Sequence, residues 1–398
     1  MRTPRFWLVA ALVAALGVAG CGSSPRTTFT SGTPQVATAP SLPTASAPAG
    51  ASATPSATAS ATPSPKPKPK PKPVATLHAG NPSGHASIPA AGRPVDTSHP
   101  DHVIGTGAPA SCTSAAVVKA VAAGGVITFK CGPAPMTITM TATAKVRNDH
   151  GSRVVIDGGG LVTLSGAGKR RILYMDTCDK AQVWTTSHCD NQSTPRLTVQ
   201  NITFTKGNST GQTFEGGGGG AIFDRGGRLA VINARFADNR CDPTGPDLGG
   251  AAIRALSQYN NEPVYVVNST FTDGVCSNGG GLSSIGVSWT VLNCLFTDNR
   301  AIGNGANPAT SGTPGGGSGA AIYNDGDTYV LTIAGTVMTN NNANEGGGAI
   351  FYVSNDRTGT MSIANSTLTH NKSGKFQNYP GIFFLGAHAP TFTHSTIK

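Results

Sequence analysis

The C-terminal half of the chain repeats one short phrase seven times, and this repeat constrains the fold more than any other feature. Each phrase has two apolar residues two positions apart, then a polar break, then a second apolar pair, as in Leu197-Thr-Val-Gln-Asn201-Ile-Thr-Phe204. The break positions, at steps of 25 to 42 residues, are Asn201, Asn233, Asn268, Asn293, Gly335, Asn365 and His394. A constant phrase at an irregular step is typical of a solenoid that keeps its insertions in loops.

The spacing within each phrase predicts strands. Two apolar pairs of period two describe a strand that bends at the break and continues inward-facing on both sides. We therefore predict an all-β parallel β-helix over residues 136–398, in which equivalent residues of successive turns are neighbours. Residues 91–135 are predicted to form an N-terminal extension with a short helix, Ser114 to Ala123, that caps the open first turn.

Several motifs resemble a known superfamily. Val126-Ile-Thr-Phe, Val155-Ile-Asp-Gly-Gly-Gly and the recurring Gly-Gly-Ala-Ile with Phe-x-x-Asn are similar to bacterial right-handed parallel β-helix proteins of the pectin-lyase-like superfamily. The Gly-Gly-Ala-Ile and Phe-x-x-Asn repeats also resemble those of polymorphic outer-membrane proteins. The resemblance covers about residues 107 to 398 and implies a single-stranded right-handed β-helix. It does not imply an activity, because the chain lacks the Asp-Asp, Gly-His-Gly and Arg-x-Pro-x-x-Arg motifs of the family's enzymes.

The first ninety residues read as export and tethering segments. Residues 1–20 have two arginines followed by a short apolar run, which predicts a signal peptide. Val18-Ala-Gly-Cys21 resembles a bacterial lipobox, which implies lipidation of Cys21; the alternative is a cleaved signal followed by a free cysteine. Residues 21–90 are rich in Ala, Pro, Ser and Thr, with alternating Pro and Lys, and are predicted to be a disordered tether.

The basic net charge of +10 belongs mainly to this N-terminal region. Seven of the 29 basic residues precede residue 90, whereas all 19 acidic residues follow it. The remaining 22 basic residues nearly balance the acidic ones, and only the run 169–171 clusters them. We therefore expect no nucleic-acid partner. Contact with a membrane is expected through the lipid anchor alone, which predicts an extracytoplasmic, surface-exposed protein.

The seven remaining cysteines predict three disulfides. Cys241 and Cys276 each stand five residues after a repeat phenylalanine, so stacking places them in adjacent turns about 4.8 Å apart. The predicted local pairs are Cys112–Cys131 and Cys178–Cys189. Cys294 is left over in a small-residue position and is expected to be a buried free thiol.

A row of carboxylates is the first candidate site. Asp238, Asp273 and Asp298 each stand two residues after a repeat apolar residue, so stacking predicts an outward ladder. Such a ladder can supply catalytic carboxylates or hold Ca²⁺, with Arg240 and Arg300 gripping an acidic sugar. The alternative, which we favour, is ordinary Asp-Asn turn chemistry in which the arginines offset repulsion.

The insertion 176–194 is the second candidate. It carries Trp184, suited to stacking on a sugar ring, and His188, suited to proton transfer. The loops 224–228 and 254–261 are expected to add Asp224, Arg254 and Tyr259 to the same groove. A packing aromatic beside a surface histidine is the plainer interpretation.

These observations favour a tethered cell-surface lipoprotein whose β-helix binds polysaccharide or another surface ligand. The alternative is a pectate-lyase-like polysaccharide lyase, or a glycoside hydrolase, that acts on an acidic glycan, with Ca²⁺ as the cofactor of the lyase.

Overall fold

The structure is a computed structural model that describes residues 78–149, 152–183, 185–212 and 217–398. It is a right-handed parallel β-helix built of four parallel sheets. Sheet A has ten strands: His102–Ile104, Gly125–Phe129, Arg153–Asp157, Arg196–Gln200, Arg228–Ile232, Val264–Val267, Trp289–Leu292, Val330–Ala334, Thr360–Ala364 and Thr391–Thr393. Sheet B has nine: Met136–Thr139, Val162–Ser165, Thr203–Thr205, Arg235–Ala237, Thr270–Thr272, Leu295–Thr297, Val337–Thr339, Thr367–Thr369 and Thr396–Ile397.

The other two sheets complete each turn. Sheet C has eight strands: Ala144–Lys145, Leu173–Asp176, Ile222–Arg225, Ile253–Ala255, Leu282–Ile285, Ile322–Gly326, Ile350–Ser354 and Ile382–Leu385. Sheet D has four: Val275–Cys276, Arg300–Ala301, Asn342–Ala343 and Lys372–Ser373. Among the described residues, short 3-10 helices occur at Ala90–Gly92, Pro109–Ser111, Lys180–Gln182, Cys189–Asn191 and Tyr259–Asn261.

The repeated phrases stack residue on residue, as the sequence predicts. Leu197 pairs with Leu229, and Phe236 pairs with both Phe204 and Phe271. The repeat phenylalanines form a continuous interior stack with ring centroids 4.6 to 5.2 Å apart. Equivalent phenylalanines of successive turns therefore stack on one another inside the solenoid, and this packing removes their apolar faces from water.

The polar break in each phrase is a left-handed corner. Every break residue from Asn201 to His394 has a φ between 47° and 61°. Asn tolerates this region better than other non-glycine residues, and Gly335 has no Cβ to oppose it. The corner explains why the strand of sheet A ends there and the strand of sheet B begins two residues later.

Only some of the corner asparagines bond to the next turn through their side-chain amides. Asn233 donates to Asn201 at 3.1 Å, and Asn201 donates to Asp157 at 3.0 Å. Asn293 instead bonds to the backbone of Ala86. A second amide ladder, which the sequence analysis did not identify, lies inside the turn after sheet B, where Asn299 donates to Asn341 and Asn341 donates to Asn371, each at 2.9 Å.

The only α-helix in the described part of the chain, Ser114–Ala123, covers the first turn as predicted. Thr113 caps it by accepting a hydrogen bond from Ala116 N, and Gly124 ends it at a φ of 76°. Val117 and Val121, on the inner face of the helix, are fully buried. The helix thus shields apolar residues of the first strands from water.

The three disulfides join the predicted cysteine pairs, Cys112–Cys131, Cys178–Cys189 and Cys241–Cys276. The third pair has a Cα–Cα distance of 4.7 Å, which is the spacing of adjacent strands. Cys294 is a buried free thiol, and desolvation raises its pKa to about 12.

Residues 78–101 form a strap that lies against the side of the β-helix. Asn293 and Gln200 each bond to both the N–H and the C=O of one strap residue, Ala86 and Val95 respectively. Residues 78–90, which composition assigns to the tether, are therefore packed against the β-helix. These polar contacts come from side chains some hundred residues or more away, which composition does not reveal. No helix among the described residues is long and apolar enough to cross a membrane.

Candidate functional site

The ladder carboxylates do form one column. Asp238, Asp273 and Asp298 directly follow paired residues of sheet B, and all three are exposed. Their φ values of 56°, 55° and 60° place each in the left-handed region, where Asp is among the favoured residues. Asp273 and Asp298 also accept hydrogen bonds from the preceding threonine hydroxyls. Local turn chemistry therefore accounts for these aspartates.

The ladder does not assemble a cation site. Among the described residues, no three of its carboxylates bring ligand atoms within 4.8 Å of one another. The one group that does so is Cys178, Cys189 and Asp190, whose two sulfurs are joined in a disulfide. Arg240 and Arg300 are exposed, and no ion pair within the described ranges links either to the ladder.

A different face of the solenoid collects the ionisable groups. On sheet C the residues Tyr174, Phe223, Arg254, Ser283 and Tyr323 are paired in register and alternate with the interior residues. Their side chains therefore point outward, yet loops that leave and rejoin the solenoid bury them. These loops are insertions between repeat phrases, and they build the walls of a cleft.

This cleft, which we call the sheet C cleft, has a volume of about 650 Å³. One wall comes from the 176–194 insertion, through Asp190, whose carboxylate accepts from Arg225 Nε at 2.8 Å and from Ser257 Oγ at 3.1 Å. The opposite wall comes from residues 247 and 307–308. The prediction that the 176–194 and 254–261 loops share a groove is thus supported by Asp190 and Ser257.

Two carboxylates meet in this cleft around one amide. Asn307 Nδ2 donates to Asp247 Oδ1 and to Asp325 Oδ2, both at 2.7 Å, and to the Tyr323 hydroxyl at 3.0 Å. Asp325 is 8% exposed, and desolvation, with a contribution from the charge of Asp247, raises its pKa above the ordinary value of 3.8. Its carboxyl is therefore a better proton donor near neutral pH than an exposed aspartate.

Arg254 forms the base of the cleft. It is 1% exposed, and it donates to Ser283 Oγ and to the Asp247 carbonyl, both at 2.5 Å, while its Nε has no partner. Burial lowers its pKa to about 10, so the guanidinium stays charged at neutral pH. Arg254 thus orients the 247 loop and supplies a fixed positive charge beside Asp247 and Asp325.

The other loop residues stand apart from the cleft. Trp184 lies outside the described residues. His188 is exposed and does not line the cleft, and Tyr259 stacks under Arg228, whose guanidinium carbon lies 4.9 Å from the ring centroid. Asp224 points into the solenoid, where Gln258 donates to it, and burial raises its pKa well above 3.8. Tyr259 and Asp224 therefore serve packing rather than the cleft.

Asp247, Asn307 and Asp325 were not identified by the sequence analysis. Asp325 stands in Asn-Asp-Gly, which reads as a turn, and the other two lie in insertions without a repeat pattern. One signal was present: the step of 42 residues between Asn293 and Gly335 is the longest in the chain, and it contains the loop of Asn307. Long insertions on a solenoid commonly mark the binding face.

Comparison with known proteins gives no assignment, since no protein-family model, no curated protein and no solved structure matches the chain.

Proposed function

We propose that this protein is a cell-surface β-helix protein that binds polysaccharide in the sheet C cleft. The observation that carries the proposal is the convergence of carboxylate, amide and hydroxyl groups from four separate chain segments on one open cleft. A strand of the rigid β-helix holds Tyr323 and Asp325, and loops anchored on that scaffold bring the remaining groups to them, which is the usual construction of a binding site.

We also propose that the protein is extracytoplasmic. Three disulfides are stable only in an oxidising compartment, which agrees with a signal peptide at residues 1–20. We propose lipidation of Cys21 and a tether that displays the β-helix above the membrane. Both lie outside the described residues, and mass spectrometry of the mature N-terminus tests them.

Polysaccharide binding is tested with a panel of soluble glycans in affinity electrophoresis. The wild type is expected to be retarded by at least one glycan. Asp325→Asn and Asp247→Asn, which keep side-chain size but remove charge, are expected to weaken that binding. Asp298→Asn on the ladder is the matched control and is expected to bind like the wild type. If the wild type and the three variants were retarded equally, the binding site would have to lie outside the cleft.

Glycoside hydrolysis is a second candidate function. It would agree with the proposed relationship of this chain to the pectin-lyase-like superfamily. Asp325 and Asp247 bond to the same nitrogen, and retaining glycosidases place their two carboxyls about 5 Å apart. The raised pKa of Asp325 suits a general acid, and Asp247 is the second carboxyl that such a reaction requires. Release of reducing ends by the wild type, abolished in Asp325→Asn, would establish it. If the glycan retards the protein but no product is released, only the binding function is supported.

A further inference from the structure

The charges of the sheet C cleft bear on which glycans it can accept. Three carboxylates line it, from Asp190, Asp247 and Asp325, against the two guanidiniums of Arg225 and Arg254. Charge alone does not select a ligand, because the direction in which each group donates or accepts decides what it can bind.

Neither guanidinium is presented to an incoming anion. Arg225 donates through Nε to Asp190 at 2.8 Å, so its charge is already compensated. Arg254 is fully buried, and both of its terminal nitrogens donate to protein oxygens. A bidentate grip on a sugar carboxylate requires terminal N–H groups that the ligand can reach, and Arg254 is only 1% exposed.

The groups that do face the cleft are acceptors. Asp247 accepts one hydrogen bond, from Asn307 to its Oδ1, which leaves lone pairs for ligand hydroxyls. Both oxygens of Asp325 are already occupied, because Asn307 and Tyr323 donate to Oδ2 while Gly326 N and Asn355 donate to Oδ1. A uronate carboxylate entering here would meet the exposed carboxylate of Asp247, with the carboxyl of Asp325 close beside it. Like charges so placed oppose binding strongly, whereas a hydroxyl donates to them favourably.

Three apolar side chains line the cleft near Asp325. Ile285 and Val353 are paired in register on either side of Asp325 in sheet C, and Leu256 lines the same cleft. A pyranose has an apolar C–H face and a rim of hydroxyls, so these side chains can pack against the ring while Asp247 accepts from the rim. Hydroxyl groups, rather than charged ones, complement both features.

We infer that the sheet C cleft is a subsite for an uncharged, hydroxyl-rich polysaccharide and that it rejects polyuronates. This inference rests on the proposed function and reverses the acidic-glycan preference that the exposed arginines of the ladder suggest. It names Asp247 and Asp325 as the residues that set specificity.

The test measures the dissociation constants of the wild type for a neutral galactomannan, a neutral β-glucan, polygalacturonate and alginate, each at low and at physiological salt. We expect at least one neutral polymer to bind at least about tenfold more tightly than either polyuronate, a difference of about 1.4 kcal/mol, since like-charge contacts oppose polyuronate binding. We expect the gap to narrow as salt screens the carboxylates.

Variants identify the cause of the discrimination. Asp247→Asn and Asp325→Asn should each improve polyuronate binding relative to neutral binding, whereas the ladder control Asp298→Asn should change neither. Equal or tighter binding of polyuronates by the wild type would overturn the charge inference while leaving glycan binding intact. Absence of binding to all four polymers would instead contradict the proposed function for these glycan classes, and the inference would fall with it. Circular dichroism and thermal melting confirm that each variant is folded.

Discussion

Replacing Phe271 by alanine tests the interior stack of the β-helix most severely. Phe271 is fully buried, and its ring lies parallel to Phe236 at a centroid distance of 4.8 Å and to Phe296 at 4.6 Å. Truncating a buried phenylalanine to alanine costs about 3–5 kcal/mol, and the loss of two stacked partners places this site near the upper end, at about 5 kcal/mol. Phe271→Leu keeps most of the buried volume and should cost about 1–2 kcal/mol.

Equilibrium unfolding in guanidinium chloride with the disulfides oxidised measures these losses. Solenoids unfold as coupled repeats, so a single transition with an unchanged slope is needed before free energies are compared. A double-mutant cycle then isolates the ring contact. The neighbours Phe236 and Phe271 should couple by about 1 kcal/mol, while Phe204 and Phe271, two strands apart, should add within about 0.5 kcal/mol. Equal coupling of both pairs, or none for the neighbours, would refute the register.

Three further predictions concern buried polar groups. Because burial raises the pKa of Asp224 well above 3.8, its folded state holds a proton that the unfolded state loses. Stability should therefore fall by up to about 1.4 kcal/mol per pH unit above pH 3.8 until the raised pKa is reached, and Asp224→Asn should reduce this slope in thermal melts. Cys294, with a pKa raised to about 12, should resist a thiol reagent in the native Cys21→Ser protein and react once denatured; rapid native labelling would contradict its burial. Asn293→Gly keeps the left-handed corner but removes both bonds to Ala86, so the strap should lose about 1–3 kcal/mol and be cleaved faster near residue 86 in limited proteolysis; an unchanged cleavage rate would show that these bonds do not hold it.

The register of the solenoid could be predicted because its physics is periodic. A strand unit that must bury the same face in every turn repeats its apolar spacing, so Cys241 and Cys276 could be placed together from their distance to the repeat phenylalanines. The left-handed corner was marked by Asn for the same reason, since few other residues tolerate that φ.

The cleft could not be predicted because its parts are not periodic. Asp190, Asp247 and Asn307 reach it from three insertions whose lengths differ and whose paths depend on contacts with one another. The ladder aspartates, by contrast, repeat regularly because they serve the backbone turn. In this chain regular spacing marks structure, and the binding groups lie where the repeat is interrupted.

One class of structural residue was overlooked although its motif was visible. The asparagine of Phe-x-x-Asn, at Asn239 and Asn299, recurs three residues after Met338 and Leu368 as Asn341 and Asn371, and in the structure these amides accept and donate inside the turn after sheet B. Where an asparagine follows an aspartate in a turn, the sequence alone does not show which of the two side chains is buried. In the structure the aspartate has the left-handed φ and is exposed, and the asparagine after it points inward.

Hydrogen exchange measured by mass spectrometry, with and without a bound polysaccharide, tests the central claim that the sheet C cleft is the binding site. Binding in the cleft predicts slower amide exchange in residues 253–257 and 303–313 when the polymer is present, with the turns around Asp238, Asp273 and Asp298 unchanged. Protection confined to those ladder turns, or to the strap at residues 78–101, would contradict it.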